Sequence, residues 1–383
     1  MVKLGDICRF QSGGTPSKNI SSYYGGNIPW ITTIALNGST ISEKDAIAWI
    51  TSTAIKETAA KIVPAQSILV GTRVGIGKIA INTTPISTNQ DILALIDIDE
   101  NTWNKKYLVH AISTKKTYLN DVSRGSTIKG IKKEILENLE IKKFSLIEQQ
   151  KISNILDKVN ALYFIRKQQL SKLDQLVKSR FVEMFGDPIR NEKNWPLVLL
   201  GEVAQIFIGP FGTLLHKEDY IYGGHALINP SHIVEGKIYP DNNFTISEEK
   251  YIELKAYHLQ KDDIILGRRG EMGRCAVAEC SGLICGTGSI IVRPYKKMKS
   301  YFIQSILSSP GYRKLIEDKA VGVTMLNLNV NIVSNIKVPL LPITMQENFI
   351  NFLHKIDKAK SSIKQSLETL ETLKKSLMQE YFG

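Results

Sequence analysis

The sequence predicts an α+β fold: two β-rich domains related by a pseudo-two-fold axis and separated by a long antiparallel two-helix coiled coil. Three observations predict it. The phrase VEMFG at Val182–Gly186 returns as QEYFG at Gln379–Gly383, 197 positions later. An offset of 196 or 197 aligns most of the chain with itself. Each copy closes with nearly forty residues that contain neither Pro nor Gly and carry apolar residues at three- and four-residue spacing.

The repeat runs through the chain in order. VKLGDI (Val2–Ile7) lies over VLLGEV (Val198–Val203), and Gly13 falls on Gly209. VGTRVGIGKIA (Val70–Ala80) lies over LGRRGEMGRCA (Leu266–Ala276). One residue of drift later, Gly125 and Thr127 meet Gly322 and Thr324, Asn138 meets Asn335, and Gln149 meets Gln346. A unit of about 190 residues is far longer than a solenoid repeat, so it is a duplicated module.

Four segments follow: 1–145, a β-rich head; 146–186, a long helix; 187–342, a second head; and 343–383, a second long helix. The heads show short apolar runs broken by Gly, Pro, Asn and Ser, such as SILVGTRVGIGKIAI and DIILGRRGEMGRCAVA, which predict strands and tight turns. On the first helix Ile152, Leu156, Val159, Tyr163, Leu170, Leu173 and Val177 form one stripe. On the second, Leu353, Ile356, Ile363, Leu367, Leu370 and Leu377 match it. A narrow stripe on an otherwise charged helix needs a partner helix. The other copy supplies one, and a two-fold axis across the pair makes it antiparallel.

Composition narrows the function. Hydrophobic content of 43% is ordinary for a globular protein. Apolar runs such as Ile264-Ile265-Leu266 are too short to cross a bilayer, and MVKLGDICRF shows no signal peptide, so a cytoplasmic location is expected. The formal charge of +12 favours a polyanionic partner, nucleic acid ahead of a membrane surface. Four cysteines without a C-x-x-C spacing suggest buried thiols in a reducing compartment.

Catalytic motifs are weak. INPSH (Ile228–His232) lacks the second proline and the aromatic residue of an amino-methyltransferase turn. GIGKIA (Gly75–Ala80) imitates a dinucleotide loop, but it continues as a β-like run instead of opening a helix. PDNNFTISEEK (Pro240–Lys250) holds residue types that bind Mg²⁺ in nucleases, yet its spacing predicts a turn and a helix start. No histidine pair has metal-ligand spacing.

The chain therefore resembles the specificity subunit of type I restriction–modification systems. The resemblance rests on the duplicated LGDI/LGEV openings, on LGRRGEMGR, on GSTIKGIK and its counterpart GVTMLNLN, on VPLLPITMQENF, and on the FG that closes each helix. It implies two target-recognition domains on double-stranded DNA, two methyltransferase subunits docked on the helices, and restriction/translocase subunits beyond them. It implies no catalytic residue, metal or cofactor in this chain; S-adenosylmethionine, ATP and Mg²⁺ belong to the partners.

Phosphate contacts use Lys, Arg, hydroxyls and glycine amides, and base contacts use Arg, Asn, Gln, Ser and Thr on positioned loops. Four places per copy fit. The first is the turn holding Ser12, Gly13, Gly14, Thr15 and Lys18, matched by Phe211 and Thr213. The second is Thr32 and Thr33, against Asn229 and Ser231. The third is Arg73 and Lys78, against Arg268, Arg269 and Arg274; Arg73, Arg268 and Arg269 are the leading individual candidates. The fourth is Arg124, Ser126, Thr127 and Lys129, against Thr324 and Asn327. Asn89, Gln90 and Thr287 stand on the divergent stretch STNQDIL/CGTGSII.

Overall fold

The structure is a computed structural model that describes residues 1–36, 40–123, 130–210, 214–270, 272–320 and 327–383. Contacts divide it into two compact units: Met1–Gln168 with Lys364–Gly383, and Gln169–Ile363. Each unit holds one head and half of each long helix.

Unit 1 is built on a sheet in the order Arg9–Ser12, Ile92–Ile96, Ile68–Gly71, Ile79–Asn82 and Thr40–Ile41. Its first four strands pair antiparallel. Its three central strands, Ile92–Ile96, Ile68–Gly71 and Ile79–Asn82, are buried on both faces, which is why they are nearly continuous apolar runs, whereas the edge strand Arg9–Ser12 is exposed or half-buried. Along Ile92–Ile96, Leu93 and Leu95 face a core shared with the helices. Ile92, Ala94 and Ile96 face a second core that includes Ile31 and Ile86. Those two residues come from a smaller sheet, in which Tyr24–Ile31 runs parallel to Ile86–Thr88. Helix Lys105–Thr114 and the beginning and end of the two long helices close the first core through Tyr107, Ile152, Leu156 and Phe382.

Unit 2 repeats this plan. Ala204–Ile208, Ser289–Pro294, Ile264–Gly267 and Cys275–Val277 form the antiparallel sheet in the same order. Leu266 and Ile290 face the helix-side core, and Ile265 and Ile291 face the other. The parallel pair is His225–Ile228 with Ile284–Cys285. Ile31 pairs with Thr88 and Ile228 with Cys285, so these strand pairs are equivalent at an offset of 197, one more than that of the neighbouring strands Ile68–Gly71 and Ile264–Gly267.

The long helices span Leu146–Phe185 and Ile343–Phe382, forty residues each and about 60 Å long at ~1.5 Å per residue. Every stripe position named above is buried or half-buried, and the next residue along is exposed at most of them. In unit 2, Lys360 Nζ donates to Asp174 Oδ1 at 2.5 Å, and the rings of Phe185 and Phe349 lie 5.3 Å apart. Eleven residues forward on one helix therefore match eleven back on the other, and the pairing is antiparallel. In unit 1 the Tyr163 hydroxyl donates to Glu371 Oε1 at 2.6 Å. By the repeat offset Tyr163 stands where Lys360 does and Glu371 where Asp174 does, so the two units make one contact with different donors. The α+β class and the antiparallel helices are those the sequence predicts. Among the described residues no helix is long and apolar enough to cross a membrane.

Head and helix are joined by a buried glutamine in each unit. Gln149 donates to the carbonyls of Thr102 and Phe144, both at 3.0 Å, and accepts from the Asn104 amide at 2.8 Å. Gln346 donates to Leu341 and Lys297 at 2.8 and 3.3 Å and accepts from the Lys299 amide at 2.9 Å. A fully buried amide is tolerated because its donors and acceptor are all paired.

Candidate nucleic-acid interface

Three of the four sequence-predicted places converge in unit 1 at the ends of the parallel strand pair, and in unit 2 the described residues of the second and third places do the same. In unit 1 the glycine turn after Arg9–Ser12 crosses the end of Ile86–Thr88. The Gly14 amide donates to the Thr88 carbonyl at 2.8 Å, and Trp30 Nε1 donates to the Gly14 carbonyl at 3.0 Å. A Cβ on Gly13 would strike the Thr88 and Asn89 carbonyl oxygens, so only glycine lets the two backbones approach. Gly209 meets the Gly286 carbonyl in the same way in unit 2.

The third place is the turn between Ile68–Gly71 and Ile79–Asn82, and between Ile264–Gly267 and Cys275–Val277. Its framework is common to both units. Gly71 N donates to Lys78 O at 2.8 Å and Gly267 N to Arg274 O at 2.7 Å. Gly77 and Gly273 have φ of 75° and 76°, the left-handed region that favours glycine. Each lies under a cationic side chain, Lys116 or Arg313. Lys78 Nζ donates to the Thr33 carbonyl and Arg274 Nη1 to the Ile233 carbonyl, both at 3.4 Å. GIGKIA is thus a turn joining two strands, as its β-like continuation predicts.

Side chains on this shared backbone differ. Arg73 is exposed and held by Asp91 at 3.8 Å; the same carboxylate accepts from Asn89 Nδ2 at 3.0 Å. Gly288 replaces Asp91 in unit 2, and exposed Arg269 has no ion pair or hydrogen bond among the described residues. Arg268 stands in the interior, 2% exposed, with Nε donating to the Thr287 carbonyl at 3.1 Å. Burial, and then the neighbouring charge of Arg269, lower its pKa from the ordinary guanidinium value. Ser12, Thr15, Lys18, Gln90 and Ser231 are exposed, and Thr15 hydrogen-bonds Gln90. Lys78, Asn229, Arg274 and Thr287 are half-buried, whereas Gly13, Gly14 and Thr33 are buried. Thr32 Oγ1, Asn89 Oδ1 and Asn327 Oδ1 are buried atoms without a hydrogen-bond partner among the described residues. Arg124, Ser126, Thr127, Lys129, Phe211, Thr213 and Thr324 lie outside the described residues.

Sequence reasoning missed Lys116 and Arg313. Neither belongs to a glycine-rich motif, and their only signal is that the one-residue drift aligns two cations. It also missed the stack in which Tyr251 lies between His225 and His258, with ring centroids 3.8 Å apart on each side. PDNNFTISEEK forms the expected turn and helix start: Asp241 accepts from the Asn243 amide at 2.9 Å, and Ser247 caps helix Glu248–Glu253.

Comparison with known proteins gives a consistent result. The profile of a family described as "Type I restriction modification DNA specificity domain" matches residues 1–175 and again 192–372. The chain is 30% identical over 286 residues to the type I restriction enzyme MjaIX specificity subunit of Methanocaldococcus jannaschii, covering 70% of this chain and 66% of that protein. It is 22% identical over 406 residues to the MjaVIII specificity subunit of the same organism, covering 99% and 90%. Among solved structures, the type I restriction–modification S subunit from M. genitalium covers 100% of this chain and 95% of its own, with a TM-score of 0.64 at 16% identity, a likeness of fold.

Proposed function

Because this chain belongs to the type I restriction–modification DNA specificity family, we propose that each head reads one half of a split site in duplex DNA while the chain itself catalyses nothing. The paired helices set the distance between half-sites, about one helical turn of DNA. They also dock two methyltransferase subunits, with restriction/translocase subunits joining that core. S-adenosylmethionine, ATP and Mg²⁺ act in those partners, and the complex works in the cytoplasm on adenine N6.

One observation carries the reading. The framework hydrogen bonds at the candidate interface are common to both units, but the side chains mounted on them differ: Thr72 against Arg268, Asn89 against Gly286, Gln90 against Thr287, and Thr32 against Asn229. A repeated reaction would keep its reactive groups, whereas two different readings need the same scaffold with different edges.

The test is methylation of DNA by purified components, mapped at base resolution. The chain with S-adenosylmethionine alone is expected to leave DNA unmodified. Adding its methyltransferase subunits yields N6-methyladenine at a two-part site. Exchanging residues 1–145 for those of a relative changes one half of that site and leaves the other intact. Unaided methylation, or a head exchange that rewrites the whole site, refutes the proposal.

A further inference from the structure

The duplication makes each head a template for the other, and it separates the positive charge that both keep from the charge that one alone carries. At an offset of 196 or 197, the Lys and Arg residues of 1–145 that meet Lys or Arg are Arg73, Lys78 and Lys116, opposite Arg269, Arg274 and Arg313. Every other Lys and Arg of the first head meets a residue of another kind.

The kept cations gather at one turn in each unit. Arg73 and Lys78 belong to the turn between Ile68–Gly71 and Ile79–Asn82, and Arg269 and Arg274 to that between Ile264–Gly267 and Cys275–Val277. Lys116 and Arg313 come from far along the chain to cover it. A Cβ on Gly77 would lie 2.9 Å from Lys116 Cγ and 3.4 Å from its Cα; on Gly273 the distances to Arg313 are 3.2 and 3.6 Å.

The surrounding chain fixes both placements. Three residues on, Leu119 and Ile316 are fully buried in the helix-side cores. The chain then returns to the same turn, where the Ile131 amide donates to the Thr72 carbonyl at 2.8 Å and the Leu328 amide to the Arg268 carbonyl at 3.1 Å. The charged groups themselves are unengaged. Lys116 and Arg313 are exposed, and neither side chain has an ion pair or hydrogen bond among the described residues. Lys78 and Arg274, by contrast, are half-buried and donate to carbonyls of their own head.

An exposed cation is ordinary surface, but chance gives it no reason to recur where its neighbours have changed. Lys115 stands where the second head has Tyr312, and Thr117 where it has Lys314. The exchange of lysine for arginine indicates the ligand. The two are not interchangeable where a planar fork reads a base edge, whereas either supplies the charge that a phosphate needs. Heads that read different sequences have in common what every sequence presents, the sugar–phosphate backbone.

We infer that Lys116 and Arg313 each hold a DNA phosphate, one at each half-site, and so set where the adjoining turn lies on the duplex. They anchor without discriminating between bases. This rests on the heads being DNA readers and adds to that reading one contact made alike by both.

The test uses the chain assembled with its methyltransferase subunits, on duplexes carrying the split site found by methylation mapping. Affinity is measured from about 50 to 200 mM salt. Lys116→Gln and Arg313→Gln should each flatten the slope of log K against log salt by about 0.9, and the double variant by about 1.8. Affinity should fall by the same factor for the split site and for a duplex with one of its base pairs changed. Lys116→Arg and Arg313→Lys should keep the wild-type slope. Lys314→Gln, beside Arg313 but unmatched in the first head, should keep it too. All variants should methylate the same sequence. A slope change below about 0.3 in both single variants, an altered methylated sequence, or an equal effect of Lys314→Gln overturns the inference and leaves the split-site reading standing. A wild-type complex that methylates no split site overturns both.

Discussion

Replacing Gln149 with leucine tests whether the head is braced on the long helix by one buried amide. Leucine is close in volume, so little cavity forms. The change removes three hydrogen bonds and leaves the carbonyls of Thr102 and Phe144 and the amide of Asn104 without that partner. Each buried group left unsatisfied costs about 1–3 kcal/mol. Burial of the more apolar side chain offsets about 1–2 kcal/mol of the total. A net loss of about 3 kcal/mol is expected, a large share of the ~5–15 kcal/mol that holds a domain together. Amide hydrogen exchange read by mass spectrometry suits a chain of two units, because global unfolding need not be two-state. Protection in the peptides spanning Thr102–Tyr107 and Ser145–Ser153 should fall about 100-fold. Peptides around Lys297–Tyr301, held by Gln346, should keep theirs. Gln346→Leu should give the converse pattern. A loss below about threefold, or equal loosening of both units, refutes the brace.

Arg269→Ala should lower the slope of log K for DNA against log salt by about 0.9, the effect of one phosphate contact, with Arg73→Ala giving less because Asp91 already holds that guanidinium. Arg268→Ala should leave the slope unchanged and destabilise unit 2 by about 1–3 kcal/mol, measured by exchange around Thr287. Gly13→Ala should abolish recognition of one half-site and Gly209→Ala the other, as read by methylation mapping, since each Cβ meets backbone that must move. Stability of unit 1 should also fall as pH drops. Burial lowers the pKa of His110 and outweighs the hydrogen bond that the ring makes to the Asp157 carboxylate, which raises it. The unfolded chain then takes up a proton near pH 6.5 that the folded chain refuses. Stability is therefore full above about pH 7 and declines below about 6.5. Exchange at Lys105–Thr114 measured at pH 7.5 and 5.5 checks this, and His110→Gln should flatten the difference.

The candidate interface was legible where backbone geometry demands glycine. Gly13 and Gly209 were visible as aligned glycines before their carbonyl neighbours were known, and so were Gly77 and Gly273. Side-chain roles were less legible. Arg268 and Arg269 are adjacent in the sequence and look alike, but they fall on opposite sides of a strand end, so one is interior and the other exposed. Asp91 tethers Arg73 from eighteen residues away, and Gly288 cannot do so for Arg269. Gln149 and Gln346 aligned in the repeat without showing what they bind, because their partners are backbone groups that carry no residue identity.

The sequence alone determined the duplication, the α+β class, the two long helices and their antiparallel pairing. Periodicity and self-similarity are properties of order along a chain, and a two-fold repeat of a one-striped helix has one economical way to cover its stripe. Tertiary structure alone decided which cations are exposed and which are buried, and which backbone groups each buried glutamine holds. Those outcomes depend on groups far apart in the chain that meet only after folding, and local pattern holds no record of such meetings.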